Sequence, residues 1–372
     1  MKVPFLELKV KDKNTKKSLL KNLGDILSHG KVIEGPELKR FEKKMASYLK
    51  TKYVVGLSSG SSALYLALKA LGIKKGDEVI TTPFTWIITI NAILSVGAKP
   101  VFADIGDDFN IDPLKINSKI TSKTKAIVPM HVGGHMCDMK KISYIAKKNK
   151  IFVVEDAAQA TASSHHSIKP GYFSDIAAFS TNPMKMLNGF GESGFITTKK
   201  KTYKDMILKL RHAGTEKDPS KININNCVIN SLNHKMDTLQ ASFLLTNLKN
   251  LETKRKKRDV IAKIYDKELK NFVEAQGYHL GEKHGRYLYI LKCNNRDKLY
   301  NFLKKNKIEC KIFYSPLACH APIFSKNKKN LYVKNAERLL KLSIALPFHE
   351  NMSKKQVYYV CKKIKKFYLK NE

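Results

Sequence analysis

The chain has 372 residues and a formal net charge of +37, which comes from 69 lysines and arginines against 32 aspartates and glutamates. Its hydrophobic content of 43% is ordinary for a globular protein and excludes a largely disordered chain, and its length suits two domains of unequal size. No run of roughly 18 apolar residues occurs, and the N-terminal segment lacks the apolar core of a signal peptide, so we expect a soluble, cytoplasmic protein without a membrane partner.

The positive charge does not by itself predict a nucleic-acid partner. Lysines are spread along the whole chain instead of being gathered in one arm or helix, arginine is scarce, and no nucleic-acid-binding signature is present. A charge distributed in this way favours at most the electrostatic steering of anionic, phosphate-bearing substrates. We therefore expect no nucleic-acid partner.

The six cysteines are scattered and form no CxxC pair, which is typical of reduced thiols in a cytosolic enzyme. His131, His135 and Cys137 resemble half of a metal site, and His165 and His166 follow downstream. Because no second cysteine pair completes a zinc site, we expect no metal.

Apolar runs alternate with helical patterns through the first 200 residues. Predicted strands lie at 54–57, 78–82, 100–103, 126–129, 151–154, 175–179 and 195–198, and predicted helices at 37–49, 63–71, 89–96 and 139–148. This alternation predicts an α/β fold with a largely parallel sheet that is covered by helices. Functional side chains are then expected at the carboxyl ends of the strands.

Two of these strand ends each allow two interpretations. The turn 58–62, which is Ser-Ser-Gly-Ser-Ser, either caps the following helix or binds an anion at its N-terminus. Trp86, the single tryptophan, is either a core aromatic or a planar face for a planar cofactor ring. His131 also follows a predicted strand end.

The stretch 153–194 carries the clearest chemistry. One strand delivers Asp156 and Gln159 at its carboxyl end, and a second delivers Ser180, with Lys185 five residues later and a glycine-rich turn after it. A carboxylate, a hydroxyl and an amine at neighbouring strand ends are what a pyridoxal phosphate site requires. The amine forms a Schiff base, and the carboxylate keeps the pyridine nitrogen protonated.

The C-terminal part has a different pattern. After the Asn-rich stretch 222–233, interpreted as an exposed loop, a long helix begins near 236 and runs into the basic segment 254–258, which is typical of a solvated helix face. Short strands at 287–293 and 310–313 and helices at 298–305, 336–341 and 354–367 predict a small α+β domain. We place the domains at 1–245 and 246–372, with the N-terminal segment a candidate to pack on the second.

A series of ordered motifs extends nearly from end to end and carries a family resemblance. It includes VPFLELK, EGPELKRFEKKMASYL, GLSSGSSALYLALKALGIKKGDEVITTPFTWIITINAIL, VFADI, VEDAAQA, FSTNPMK, GESGFITT, NSLNHKMDTLQAS and AERLLKLSIALPFH. The chain resembles the DegT/StrS family of pyridoxal-phosphate-dependent nucleotide-sugar aminotransferases. That resemblance implies pyridoxal phosphate fold type I, with a mostly parallel seven-stranded sheet in a large domain and a small C-terminal α+β domain.

The resemblance also implies cofactor-binding roles and a homodimer with shared active sites. Lys185 would form the Schiff base and then move the proton between cofactor and substrate carbons, Asp156 would pair with the pyridine nitrogen, Gln159 would lie near the ring hydroxyl, and Trp86 would stack on the ring. The phosphate would be held by Ser61, Ser62 and Ser180, with Asn233 reaching it from the second subunit.

For the substrate, the resemblance implies contacts from His131, Lys235, Tyr314 and His320. Two positions depart from the family pattern. Val132 follows His131 where an aromatic is common, and Lys235 stands where arginine is usual, which removes a planar bidentate donor.

The implied reaction transfers the amino group of L-glutamate to a nucleotide-linked keto sugar. Some relatives replace the lysine by histidine and are dehydratases, so the presence of Lys185 favours transamination. The seven-residue spacing from Lys185 to Glu192 resembles the spacing in relatives that act at carbon 3 of the sugar.

Among possible substrates, a 3-ulose derived from UDP-N-acetylglucosamine is favoured and a dTDP-3-keto-6-deoxyhexose is next, for lipid A, O-antigen or another surface glycan. Amination of a 4-keto sugar is the alternative, and a non-catalytic regulatory or binding protein on the same fold is the alternative of another class.

Overall fold

The computed structural model describes residues 1–216, 225–327 and 333–369, so residues 222–224 of the predicted Asn-rich loop lie outside the described residues. The α-helices of the described part, in chain order, are α1 Lys13–His29, α2 Pro36–Leu49, α3 Gly60–Ala70, α4 Ile87–Ser95, α5 Pro113–Asn117, α6 Met139–Lys148, α7 Lys201–Arg211, α8 Thr238–Leu269, α9 Arg296–Lys305, α10 Lys334–Leu342 and α11 Lys354–Leu369.

The strands of the described part, in chain order, are β1 Tyr53–Leu57, β2 Glu78–Thr81, β3 Lys99–Phe102, β4 Thr124–Val128, β5 Phe152–Asp156, β6 Ser164–His165, β7 Ile176–Ser180, β8 Gly194–Thr198, β9 Glu274–Ala275, β10 Glu282–Lys283, β11 Ile290–Lys292 and β12 Ser343–Ala345. Seven of them form the central sheet, in the order β1-β8-β7-β5-β4-β2-β3, and β8 alone runs antiparallel to its neighbours. The predicted mostly parallel sheet is therefore confirmed.

Both faces of the central sheet are buried, which explains why its strands read as short continuous apolar runs. On one face Val55 and Val154 pack with residues of α3 and α4, and on the other Ile127 packs with Ile142 of α6. Six of the seven strands end at the same edge of the sheet. This arrangement brings the polar residues after those strands together.

The C-terminal part is built on the three-stranded sheet β12-β11-β9, with α9 and α11 packed in one apolar cluster. Val3 pairs with Ile308, which ties the N-terminal segment to this cluster. The strand predicted at 310–313 is wrong: only Lys311 pairs, through an isolated bridge to Ala345. The segment instead turns Lys311, Phe313 and Tyr314 toward a cavity at the sheet edge.

Helix α8 joins the two parts of the chain. Its 32 residues make a rod about 48 Å long, capped at its start by Asp237, which accepts a hydrogen bond from the Gln240 N–H at 2.8 Å. The first half packs on α1 and α2, and the second half packs on α11. The proposed domain boundary at 245/246 falls inside this helix.

The basic segment 254–258 of α8 is only partly the solvated face that the sequence suggested. Arg255 and Arg258 are 8% and 3% exposed. Arg258 donates hydrogen bonds to Glu350 at 2.8 and 3.0 Å, and Arg255 pairs with Glu252 and Asp259. Two of the five basic residues are therefore buried in ion pairs: Arg255 with neighbours on α8 itself, and Arg258 with Glu350 from beyond the helix.

Helix α1 was not predicted. Its apolar residues Leu19, Leu20, Leu23, Ile26 and Leu27 follow a helical spacing, but only Leu19 and Ile26 are buried, and Leu20 and Leu27 are exposed. Its ends are nevertheless well formed, since Asp12 accepts a hydrogen bond from the Thr15 N–H at 2.7 Å and Gly30 ends the helix with a φ of 67°. None of the helices in the described ranges is long and apolar enough to cross a membrane.

Glu350 is the acidic partner that holds Arg258. Burial by itself raises the pKa of the Glu350 carboxyl, but the charges of Arg258 and Lys254 outweigh it and lower that pKa from 4.5 to about 2. Because the pKa is lower in the folded chain, the carboxylate stabilises the fold above the ordinary pKa. This contribution is lost as the pH falls toward 2.

We expect Glu350→Gln to lower the free energy of unfolding at pH 7 by about 3 kcal/mol, because Arg258 is left buried without its counter-charge. Urea unfolding of both proteins from pH 7 to pH 3 measures this difference, which should narrow below about pH 4.5. Glu274→Gln is the control: Glu274 is 70% exposed in its pair with Lys292, so a change within about 0.5 kcal/mol is expected. A difference for Glu350→Gln that stays constant with pH would contradict the account.

Candidate active site

A cavity of about 480 Å³ opens at the carboxyl edge of the central sheet. The strand register fixes its floor, because Asp156 lies opposite Ala178 and Ser180 opposite Gly194. Its lining combines residues of the sheet edge with residues from the C-terminal part: Gly60, Ser61, Trp86, Asp156, Gln159, Ser180, Lys185, Tyr287, Lys311, Phe313 and Tyr314. The expected convergence of strand-end residues is therefore largely present in one chain.

Asp156 ends β5 with its side chain held in one orientation. The Thr89 hydroxyl donates a hydrogen bond to Oδ2 at 2.7 Å, the Ala158 N–H donates to Oδ1 at 3.2 Å, and Thr85 supports Thr89 through a 2.8 Å hydroxyl contact. Burial raises the pKa of the Asp156 carboxyl, against the opposing effect of those hydrogen bonds and of the Lys185 charge. A buried carboxylate of this kind is stabilised by any cationic ring nitrogen placed against it.

Lys185 extends from the turn after β7 into the same cavity. Its backbone N–H donates to the Asn182 carbonyl at 2.9 Å, and its Nζ lies 4.7 Å from the centroid of the Tyr287 ring. The following turn is held by side chains of α8: Asn247 Nδ2 donates to the Asn188 carbonyl at 2.6 Å, and Gln240 Oε1 accepts from the Phe190 N–H at 2.9 Å. The base of the Lys185 side chain is thus held in place by this turn.

The turn before α3 is both a cap and a candidate anion cradle. Ser59 Oγ accepts a hydrogen bond from the Ser62 N–H at 3.0 Å and caps the helix. Gly60 allows close approach to β7, since a Cβ there would lie 2.6 Å from the Ser180 Cβ. Ser61 and Ser180 line the cavity beside the N–H groups of the first helical turn, where a phosphate is favoured. Ser62 is instead bonded to His234 at 2.9 Å.

Gln159 and Trp86 complete the cavity walls. Gln159 Oε1 accepts a hydrogen bond from the Gly133 N–H at 2.7 Å, and its amide nitrogen contacts the buried Tyr314 hydroxyl. Trp86 is 62% exposed, which excludes the interpretation as a core aromatic and leaves its ring free to stack.

Besides Ser62, four predicted residues do not line this cavity within one chain. His131 is fully buried: the Cys137 N–H donates to its Nδ1 at 3.1 Å, so its Nε2–H donates to Glu155 at 2.9 Å. Lys235 bridges to Leu57, and His320 lies 3.4 Å from Glu337 on the surface. Asn233 is exposed, and its contact from a second subunit stays a prediction.

Sequence reasoning missed four residues of the site. Thr89 sits in the first turn of α4 and gave no sign of reaching Asp156, 67 positions away. Tyr287, Lys311 and Phe313 come from the C-terminal part, and only the tertiary fold shows that they face Lys185. A Thr-x-x-x-Thr spacing next to a predicted strand end was the one local signal available for Thr89.

These donors fit pyridoxal phosphate. A buried, oriented carboxylate suits the pyridine nitrogen, an amine is within the same cavity, and hydroxyls with a helix N-terminus suit the phosphate. The absence of a Cβ at Gly60 lets the N-terminus of α3 lie directly against Ser180.

We expect Gly60→Ala to weaken binding of pyridoxal phosphate by about tenfold or more, because the added methyl group must push α3 away from Ser180. Titration of the apoprotein with the cofactor, followed by absorbance, measures the affinity. Gly24→Ala in α1 is the matched control, since no atom lies within 4 Å of its added methyl group. The control should keep its affinity and gain about 0.5–1 kcal/mol of stability. Equal cofactor affinity in both variants would contradict the proposed cradle.

The chain matches the model of the DegT/DnrJ/EryC1/StrS aminotransferase family over residues 13–365. It is 34% identical to the pleiotropic regulatory protein of Geobacillus stearothermophilus, over 99% of each chain. It is 32% identical to dTDP-3-amino-3,6-dideoxy-alpha-D-galactopyranose transaminase of Aneurinibacillus thermoaerophilus, over 98% of this chain and 99% of the relative. It is 29% identical to UDP-2-acetamido-2-deoxy-3-oxo-D-glucuronate aminotransferase of Pseudomonas aeruginosa, over 96% and 98%.

Solved structures agree with the fold. DesV of S. venezuelae superposes with a TM-score of 0.93 at 28% identity and covers 98% of both chains. NtdA of Bacillus subtilis, solved with bound PMP, superposes with a TM-score of 0.87 at 30% identity, over 97% of this chain and 85% of that one. The family match, the two superpositions and the cavity built around Asp156 and Lys185 lead to one conclusion. The chain belongs to the DegT/DnrJ/EryC1/StrS aminotransferase family and is a pyridoxal-phosphate-dependent sugar aminotransferase.

Proposed function

We propose that the enzyme transfers the amino group of L-glutamate to carbon 3 of a nucleotide-linked keto sugar, in the cytoplasm, as a homodimer. The observation that carries this proposal is the position of Lys185 between two cavities. One is the cavity of Asp156 described above. The other, of about 330 Å³, is lined by the segment 6–12 and by residues of α8.

The second cavity is suited to an anionic substrate. Its lining has six cationic side chains, Lys9, Lys11, Lys185, Lys254, Lys257 and Arg258, against three carboxylates, Glu7, Asp12 and Glu350. Arg258 is committed to Glu350, whereas Lys257 is exposed. A surplus of positive charge at the entrance attracts a diphosphate or a dicarboxylate.

The chain's own residues supply positioning and proton transfer. When bound, pyridoxal phosphate provides the electron sink that acidifies the C–H bond of the amino donor. Asp156, fixed by Thr89, would hold the ring nitrogen in its protonated form. Lys185 lines both cavities and would move the proton between the reacting carbon atoms, while the contact between Gln159 and Tyr314 would help to exclude water.

The choice of sugar rests on the spacing of Lys185 and Glu192 and on named relatives. The relative from A. thermoaerophilus makes a 3-amino sugar on dTDP, and that from P. aeruginosa acts on a 3-oxo sugar on UDP. We favour a 3-ulose derived from UDP-N-acetylglucosamine, with dTDP-3-keto-6-deoxyhexose next, for lipid A, O-antigen or another surface glycan. The free state of all six cysteines supports a reducing compartment.

The direct test incubates the enzyme and L-glutamate with each keto sugar in turn: the UDP-linked 3-ulose, the dTDP-linked 3-keto-6-deoxyhexose and a UDP-linked 4-keto sugar. NMR of the product locates the new amine. Amination at carbon 3 supports the proposal, whereas exclusive turnover of the 4-keto sugar would replace it with the alternative regiochemistry. The G. stearothermophilus relative is named as a regulatory protein, so a third outcome must be considered. If the enzyme exchanges amino groups neither with glutamate nor with any of the three sugars, a binding role would be favoured.

We expect Lys257→Gln to raise the KM for the nucleotide sugar about threefold to tenfold with little change in kcat, because it removes one attractive charge from the second cavity. The effect should shrink as ionic strength rises. Lys256→Gln, on the same helix but outside the cavity lining, should leave KM within twofold. An equal change of KM in the two variants would show that the second cavity does not take part in substrate binding.

A further inference from the structure

Five of the eleven histidines gather in one cluster that the proposed function does not use. The ring centroids of His135 and His279 are 4.7 Å apart, and His165 lies 5.3 Å from His279. His166 and His284 flank this group. The five residues come from both the sheet part and the C-terminal part of the chain.

His135 lies at the centre of the cluster and is held between two carboxylates. Its Nδ1 is 2.5 Å from Glu282 Oε2, and its Nε2 is 2.9 Å from Asp108 Oδ2. Glu282 is itself fixed, since it accepts the backbone N–H groups of Met136 at 2.8 Å and His279 at 3.1 Å. Glu282 is placed to orient Nδ1 as the outer carboxylate of a metal-binding histidine does, and an ion bound through Nε2 would replace the proton shared between Nε2 and Asp108, which is released to solvent.

His279 supplies an independent observation. Its Nε2 is buried and has no hydrogen-bond partner among the described residues. A buried nitrogen without a hydrogen-bond partner is destabilising, so a ligand on it would stabilise the fold. Asp108, His135 and His279 each place one donor atom so that all three lie within 4.8 Å of one another.

We propose that Asp108, His135 and His279 bind one divalent transition-metal ion, with Glu282 as the orienting carboxylate. Two imidazole nitrogens and one carboxylate oxygen are the donors that favour Zn²⁺. The Asp108 side chain is 28% exposed, which leaves an open side for a water ligand. This proposal is independent of the substrate proposed above.

The site would join the two parts of the enzyme. Asp108 follows β3 and His135 follows β4, whereas His279 and Glu282 lie at the start of β10. The same 131–135 turn carries Gly133, whose N–H holds Gln159 at 2.7 Å. A metal ion here would therefore clamp the C-terminal part onto a turn that supports the wall of the active site.

The half-site suggested by the sequence, His131, His135 and Cys137, shares only His135 with this set. His131 is committed to Glu155, and the Cys137 thiol donates to the Met130 carbonyl at 3.3 Å. The expectation of no metal rested on the absence of a second cysteine pair. Asp108 and His279 are separated by 171 positions, so local spacing could not reveal this set.

The experiment uses the untagged holoenzyme after treatment with EDTA. Calorimetric titration with Zn²⁺ should show one ion per chain with a micromolar or tighter Kd, and the thermal midpoint should rise by several degrees. Co²⁺ should produce absorption bands at roughly 500–650 nm, beyond the range of the cofactor, as expected for nitrogen and oxygen ligands.

His279→Gln and Asp108→Asn should each weaken Zn²⁺ binding at least tenfold, and Glu282→Gln about tenfold. His320→Gln, a surface histidine outside the cluster, should bind as the wild type does. Absence of Zn²⁺ binding by the wild type, or equal binding by wild type and His279→Gln, would overturn the proposal and leave the cluster as a buried ion-pair network only.

Discussion

The carboxylate of Asp156 is buried at the end of the central strand of a parallel sheet, and most of the site follows from the need to hold it there. A buried charge is costly unless it is hydrogen-bonded and paired. Thr89 and the Ala158 N–H supply the hydrogen bonds at 2.7 and 3.2 Å. We propose that the cofactor supplies the cationic partner, so that a carboxylate whose burial is costly without a partner becomes favourable in the holoenzyme.

The two parts of the chain meet at Lys185. Its base is fixed by the turn that α8 holds, and its tip faces Tyr287 from the C-terminal part. Helix α8 runs through both parts and carries Arg258, whose pairing with Glu350 joins the helix to the C-terminal end of the fold. Packing of this helix therefore influences the geometry of the amine, although no residue of its C-terminal half contacts Asp156 among the described residues.

Local sequence patterns predicted what depends on local structure. Asp156 and Ser180 end buried strands, and Lys185 follows five residues after Ser180. The strand pattern and the parallel topology were therefore enough to predict that these three residues lie close together. Long-range partners were beyond that reasoning. Arg258 was expected in solvent because its partner is 92 positions away, and His131 was expected to face the substrate because its bond to Glu155 depends on how β4 and β5 pair. Helix α1 was missed although its apolar residues, from Leu19 to Leu27, follow a helical spacing, so its local pattern was sufficient to predict it.

The role of Lys185 is tested most directly by the visible absorption spectrum of the purified enzyme before and after addition of L-glutamate, with Lys185→Ala beside it. We expect the wild type to show a band from lysine-bound cofactor that glutamate bleaches, and the variant to show no such band. A wild type that stays colourless after addition of pyridoxal phosphate, or a Lys185→Ala variant with the same glutamate response, would contradict the assignment of Lys185 and the aminotransferase chemistry built on it.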